Sequence, residues 1–504
     1  GSTMSVGSSF AHDSAVLHVT GRARYVDDIP TPKNSLHLVF GLSTVARGDI
    51  VKMDLSPVMV SKGVVEVLTC KNLPFLNDSS SAVKDEPLLA ETKVNYVGQP
   101  LFIVAAESHL MARKAAAKAR VSYNKRSPIL SIEDALAADS RFEEGPRIYQ
   151  KGEAFNAIKR SAYKLKGTFS IGGQEHFYLE GQVALALPSD DSELVIYCST
   201  QHPTEVQHKV ATVLGLGMHE VRVEVRRMGG GFGGKESQAN NLAIACAVAS
   251  QVTGRPCKMR YDRDDDFLIT GKRHDFRIDY QVGFDEMGKI QGVSFVHYIR
   301  CGWSQDLSLA VADRAMLHAD NAYHLEHCRV ESHRLRTNMQ SATAFRGFGG
   351  PQGIIGMERV IDHIAYHLGV DSLTIRIRNY YSDANTVVVE KPQTTHYGME
   401  VTDFGLNAMT EALVKRCDYF SRRNNVEEWN QKNPVLKRGI ALTPVKFGIS
   451  FTLTHLNQAG ALVNLYQDGT LRMNHGGIEM GQGLFQKVAQ VAASVFGIDI
   501  EKVK

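Results

Sequence analysis

The sequence predicts an α+β protein of several domains, and three observations carry that expectation. At ~150 residues per domain, 504 residues leave room for about three. Hydrophobic residues are 43% and charged residues 22%, the balance of an ordinary globular chain. Strand and helix patterns follow one another without a complete run of βαβ units and without a fixed-period repeat. The same numbers argue against a disordered chain, a collagen-like fibre and a membrane protein. No stretch approaches the ~20 apolar residues of a membrane span. A net charge of +3 is too small to point to nucleic acid. Seven cysteines, an odd number and none two or three residues apart, argue against a disulfide framework, a zinc ribbon or an iron–sulfur cluster in this chain. The simplest compartment for such thiols is a reducing cytoplasm.

The elements are read in order. Gly1-Ser2-Thr3 before Met4 reads as a cloning remnant. Ser35–Leu42 and Val64–Thr69 are expected as strands. Gly98-Gln99-Pro100 introduces the apolar run Leu101–Ala106, and Ser108–Val121, rich in Ala, Lys and Arg, reads as a helix. Asn124–Gln150 carries Pro128, Pro146 and a charged run, and is the best linker candidate. Leu194–Cys198 is a strand, Thr204–Leu214 a helix, and Val221–Arg227 alternates as a strand does. Glu236–Val252 follows as a mostly apolar helix and Cys257–Tyr261 as a strand; the acidic run Asp262–Asp266 reads as a strand-end turn. Arg277–Val282 and Gly292–Tyr298 form a strand pair, and Gly353–His367 a helix. Beyond the irregular Ser382–Gly398 come a helix at Phe404–Cys417, strands at Ile449–Leu453, Ala461–Tyr466 and Thr470–Asn474, and a helix at Leu484–Phe496.

Three glycine clusters stand out. Gly229-Gly230-Gly231-Phe232-Gly233-Gly234 matches the dinucleotide fingerprint G-x-G-x-x-G between a strand and a helix. A carboxylate at Glu236, at the expected helix start, opposes a pyrophosphate there. A tight turn with close backbone packing is the plainer reading. The others are Arg346-Gly347-Phe348-Gly349-Gly350 and Gly476-Gly477-Ile478-Glu479-Met480-Gly481-Gln482-Gly483. Three such loops, two of them with Gly-Phe-Gly-Gly, point to a large planar or anionic ligand held by backbone N–H groups.

Five segments together resemble the xanthine dehydrogenase family of molybdenum hydroxylases, in its molybdenum-binding part. They are Arg227–Glu236, Thr343–Gln352, Lys446–Thr452, Leu456–Leu462 and Glu479–Gly483. The resemblance runs from about His12 to the last residue, and a separate molybdenum-binding chain is a bacterial arrangement. It implies an α/β hammerhead-like domain at 17–125 after an N-terminal arm at 1–16. A linker at 126–165, a first molybdopterin-binding domain at 166–385 and an incomplete second one at 386–504 would follow.

The resemblance also implies a molybdenum–molybdopterin cofactor and oxidative hydroxylation of hypoxanthine or xanthine towards urate, with water as the oxygen source. Gln201 matches the glutamine beside a molybdenum oxo ligand. Phe232 and Arg346 match residues whose backbone lies against the metal centre. Gly230, Gly231, Phe232, Met480, Gly481 and Gln482 fall in the family's pterin-binding loops. Glu236 and Arg314 match the charged pair that binds purine, a pair aldehyde oxidases of the same fold generally lack. Phe348 and Phe451 match the aromatics on the ring's face and edge, and Thr452 a neighbouring hydrogen-bonding residue. His176, with Glu180 four residues on, is expected as a packed or hydrogen-bonded histidine, because the family's metal is held by the pterin. An internal salt bridge between Glu236 and Arg314 is the competing reading of that pair.

Electrons would leave through 2Fe-2S clusters and FAD on a partner chain to NAD. Neither nucleic acid nor membrane is an expected partner. One departure matters: the family's glutamate base lies in a Gly-Glu-Pro-Pro-like motif that this sequence lacks. The base, and the remaining C-terminal part of the molybdenum subunit, are therefore expected beyond Lys504, with a strand expected to start after Gly497. An aldehyde oxidase-like or other N-heterocycle hydroxylase, or a non-catalytic fragment retaining the fold, stays open.

Overall fold

The structure, a computed structural model, describes residues 5–382 and 392–504. The domain boundary expected at 385/386 lies outside the described residues.

A seven-stranded mixed sheet forms the first layer. Its order is Val221–Glu224, Leu194–Cys198, Val183–Pro188, Cys257–Arg260, Leu36–Leu42, Pro100–Ala106 and Val64–Leu68. The N-terminal strands join the later ones through a parallel pair, Leu36 opposite Cys257 and Leu38 opposite Met259. The helix Asn240–Thr253 lies across this sheet. Residues 242–249 are apolar and buried on every side, as expected of a helix inside a core rather than on its surface. Gly254, at φ +69°, ends it in the left-handed conformation that only glycine adopts without cost.

A second sheet of five strands runs Arg147–Lys151, Cys328–Leu335, Ile290–Arg300, Asp275–Phe284 and Tyr163–Ile171. Helices Ser308–Leu317, Gly350–Leu368 and Ser372–Asn379 pack over it around a second core that includes Phe276, Phe295, Met316 and Ile361. A small three-stranded sheet at Lys93–Val94, Gly48–Asp54 and Arg120–Lys125 closes the N-terminal region.

Several expectations are corrected. The helix expected at Ser108–Val121 ends at Ala116, and Arg120–Lys125 is a strand paired with Gly48–Asp54. The stretch 126–165, expected as a linker, holds helices Ile132–Ala137 and Ala154–Arg160 and gives the second sheet an edge strand. The run Asp262–Asp266 opens the helix Arg263–Ile269, because carboxylates suit a first turn. Ile449–Leu453 forms no strand. After Gly497 comes a single turn, Ile500–Lys502, with Val503 bridged to Leu471. All seven cysteines are free. No helix among the described residues is long and apolar enough to cross a membrane.

Candidate functional site

Each glycine cluster occupies a strand-to-helix turn. The first precedes Asn240–Thr253, the second opens Gly350–Leu368 and the third precedes Leu484–Phe496. Glu236 therefore lies in the loop, not on the helix that the apolar pattern placed there.

The three loops meet through their backbones. Arg346 N–H donates to Phe232 O at 2.8 Å, and Met228 N–H donates to Glu479 O at 2.8 Å. Gly233 lies so close to the second loop that a Cβ would stand 2.7 Å from Ala344 O. A Cβ on Gly231 would stand 2.6 Å from Gln201 Oε1 and 3.1 Å from Met480 Sδ. Phe232 and Phe348 both sit at positive φ, +55° and +53°, a strained setting for an aromatic residue. Phe232 is 40% exposed in spite of its ring.

Side chains lock this arrangement. Gln201 Oε1 accepts from Gly233 N–H at 2.9 Å and Lys235 N–H at 3.2 Å. Those two donors fix the amide's orientation, and its NH₂ group meets no protein acceptor among the described residues. Glu479 is buried and accepts from the N–H groups of Gly481, Gly483 and Phe485. Gln482 Oε1 accepts from Met480 N–H at 2.6 Å. His176 Nε2–H donates to Ala344 O at 2.7 Å, and the ring stacks on Phe345 at 4.4 Å. It packs and hydrogen-bonds, as expected. Burial pushes its pKa down to about 4.

Two anchors were invisible in the sequence. Lys235 is fully buried, and its Nζ meets Glu180 Oε1 at 2.9 Å. Glu180 also accepts from Ser199 Oγ at 2.6 Å and Gly229 N–H at 3.2 Å. Asp306, 2% exposed, accepts from Ser237 Oγ and Thr343 Oγ1, each at 2.6 Å, and so ties the first loop to the second.

The remaining candidates form two groups. Phe348 and Phe451 lie with ring centroids 5.1 Å apart, tilted by 45°. The Arg314 guanidinium lies 5.7 Å from the centre of the Phe348 ring. It donates to the carbonyls of Gly448 and Ser450. Its Nε is buried without a partner among the described residues. Thr452 Oγ1 donates to Ala310 O at 2.9 Å, on the helix that carries Arg314. Glu236 closes the first loop, its N–H donating to Gly233 O at 3.3 Å. No contact joins it to Arg314 among the described residues, so the internal salt bridge is absent. Burial, with Asp306 and Glu205 nearby, pushes its carboxyl up to about 7.

The donor set decides what could be held. Among the described residues, groups of potential metal ligands occur only at His12, Asp13 and Glu479 and at Asp262, Asp264 and Asp265. Neither contains a residue of the first or second loop. Glycine backbone, helix starts and one free amide suit a group that brings its own metal ligands and presents oxygen atoms to the protein.

Three family descriptions match the chain. Residues 20–127 match an aldehyde oxidase and xanthine dehydrogenase a/b hammerhead domain, and residues 141–380 and 412–504 match molybdopterin cofactor-binding domains. The chain is 40% identical over 500 residues to a xanthine dehydrogenase of Drosophila subobscura, covering 99% of this chain and 37% of that one. It is 42% identical over 502 residues to xanthine dehydrogenase 1 of Arabidopsis thaliana, covering 99% and 36%. It thus spans a little over a third of the length of these relatives. Among solved structures it resembles an aldehyde oxidoreductase from Desulfovibrio gigas, with TM-score 0.85, 25% identity, and 99% and 56% of the two chains covered. A quinoline 2-oxidoreductase from Pseudomonas putida 86 shares the fold, with TM-score 0.86, 23% identity, and 99% and 66% covered.

Proposed function

The chain belongs to the xanthine dehydrogenase and molybdenum hydroxylase family, and on that premise we propose that it is the molybdenum-binding part of a purine hydroxylase acting on hypoxanthine and xanthine. The observation that carries the reading is the cluster of Arg314, Phe348 and Phe451 beside the converging glycine loops.

A molybdenum–molybdopterin cofactor, when bound, supplies the two-electron oxidation and the oxygen derived from water. The loops suit that cofactor because Gly230 and Gly231 leave room where side chains would intrude, and Gly481 stands open beside Met480 and Gln482. Gln201 would offer its free NH₂ to an oxygen on the metal, since two backbone donors already hold its Oε1. The backbone at Phe232 and Arg346 would lie against the same centre, joined by their mutual hydrogen bond.

Substrate falls to the other residues. A purine ring would meet Phe348 and Phe451, one by its face and one by its edge, once these two rings, now 5.1 Å apart, separate to admit it, each contact contributing of order 1 kcal/mol. Glu236, with its pKa raised to about 7, would donate to a ring nitrogen when protonated or accept from a ring N–H when ionised. Arg314, buried and with Nε unpaired, would stabilise negative charge spreading over the purine as a carbon–oxygen bond forms. Thr452, whose hydroxyl proton goes to Ala310 O, would offer its oxygen as a further acceptor. The glutamate base, the 2Fe-2S clusters, FAD and the route to NAD are proposed to lie on parts of the enzyme that this chain does not span, some of them on a partner chain.

Arg314→Met in the whole enzyme tests the assignment. Losing one charge-stabilising donor costs about 10²–10³ in kcat, so hypoxanthine turnover should fall by that factor while aldehyde turnover changes far less. Equal losses on both substrates would overturn the purine reading.

A further inference from the structure

We propose that the cleft between segment 22–29 and the strand ends at Tyr197 and Glu224 binds a phosphate-class dianion, free or carried on a small molecule. The cleft has a volume of about 370 Å³, at the small end of ligand sites. None of the residues placed at the cofactor or substrate lines it, so the inference does not rest on the proposed purine chemistry.

Charge is the first argument. Four arginines, Arg22, Arg24, Arg226 and Arg227, line the cleft against one carboxylate, Glu224. That carboxylate is already paired with Arg222 at 3.0 Å. The acids on the neighbouring segment are also engaged: Asp27 pairs with Lys258 at 2.6 Å, and Asp28 accepts from Tyr25 N–H at 3.0 Å. Arg226 makes one long ion pair, 3.5 Å, to Asp13 and lies 5.2 Å from the centre of the Phe485 ring. Arg22 and Arg24 make no ion pair among the described residues. The cleft lining therefore carries a surplus of positive charge, four guanidinium groups against one carboxylate, which Asp13 and Glu479 outside the lining only partly offset.

Burial is the second argument. Arg227 is 7% exposed, and its Nε has no partner among the described residues. Its other nitrogens donate to Arg24 O at 3.1 Å and Ser14 Oγ at 3.3 Å, which holds the fork in place. A buried guanidinium nitrogen without an acceptor costs free energy unless something fills the role. Several guanidinium groups with donors to spare match the oxygens of a phosphate, which takes two or more charge-assisted contacts at once. Tyr25 and Tyr197 add aromatic walls on which the remainder of a phosphorylated ring compound could stack.

Calorimetric titration of inorganic phosphate, and separately of AMP, into the protein at low ionic strength tests the site. One saturable phosphate per chain is expected, weakened at least tenfold in R24Q/R226Q. Both arginines are exposed, and neither side chain supports the core, so an unaltered thermal melt checks that the variant is folded. The control R160Q/K166Q removes two exposed charges elsewhere and should bind as the parent does. Tighter binding of AMP than of phosphate assigns the site to a phosphorylated ring compound; equal binding assigns it to the free anion. No saturable phosphate binding, or equal weakening in the control, overturns the proposal.

Discussion

Replacing Lys235 by Met tests whether a buried ion pair holds the first glycine loop. The Lys235 side chain is fully buried, 2.9 Å from Glu180 and 4.8 Å above the Tyr178 ring. Desolvation pulls its pKa down, and the Glu180 carboxylate acts against that pull. At an effective dielectric of about 20, two charges at that separation attract by roughly 6 kcal/mol. Deleting one partner of such a pair generally costs about 3–5 kcal/mol, because the other charge is left buried. Here Ser199 Oγ and Gly229 N–H still donate to Glu180. That support places the loss near the lower end, about 3 kcal/mol, or about 150-fold in the local folding equilibrium. Urea unfolding gives the global change, and amide exchange read at Gly229 and Gly233 gives the local one. The double variant K235M/E180Q should recover much of the loss, since two neutral groups need no pairing. A loss below about 1 kcal/mol in K235M, with exchange at Gly229 unchanged, would refute the reasoning.

Other variants probe the remaining parts. Gly231→Ala puts a methyl 2.6 Å from Gln201 Oε1, so molybdenum content of the purified enzyme should fall while its fold survives. Asp306→Ala strips the acceptor from two buried hydroxyls and should cost about 1–3 kcal/mol per unsatisfied group, read in urea, with Asp306→Asn losing less. Glu236 has its pKa raised to about 7, so the folded state holds the proton more tightly than the unfolded chain. Its contribution is therefore favourable at acid pH and fades as pH climbs from the ordinary carboxyl range through about 7. Glu236→Gln should flatten that part of the stability–pH curve; an unaltered slope would show that the carboxyl does not titrate there.

What could be read without coordinates was what is local. The glycine clusters were legible because a strand, a run of glycines and an apolar helix lie consecutively in the chain. Lys235 and Glu180 are 55 positions apart, and Asp306 bonds residues 69 and 37 positions away. Nothing in a linear pattern marks such partners. No pattern in the sequence marks the helix Ser308–Leu317, although Arg314, a candidate site residue, lies on it. Ile449–Leu453 has the composition of a strand, but Arg314 takes the carbonyls of Gly448 and Ser450 that a neighbouring strand would need. For Glu236, apolar periodicity extended the helix one turn too early. Asn240 N–H in fact closes a turn on Ser237 O before the helix begins.

The parallel pairing of Leu36–Leu42 with Cys257–Arg260 makes one sheet out of two family segments that meet in sequence near residues 127–141. Units of inheritance and units of folding therefore do not coincide here. Excising the first 127 residues would expose the Cys257–Arg260 strand as a bare hydrogen-bonding edge, with Cys257 and Met259 uncovered beside it. Such a piece should self-associate through that edge, so the segments could not be shuffled as independent modules without a substitute strand to close the gap.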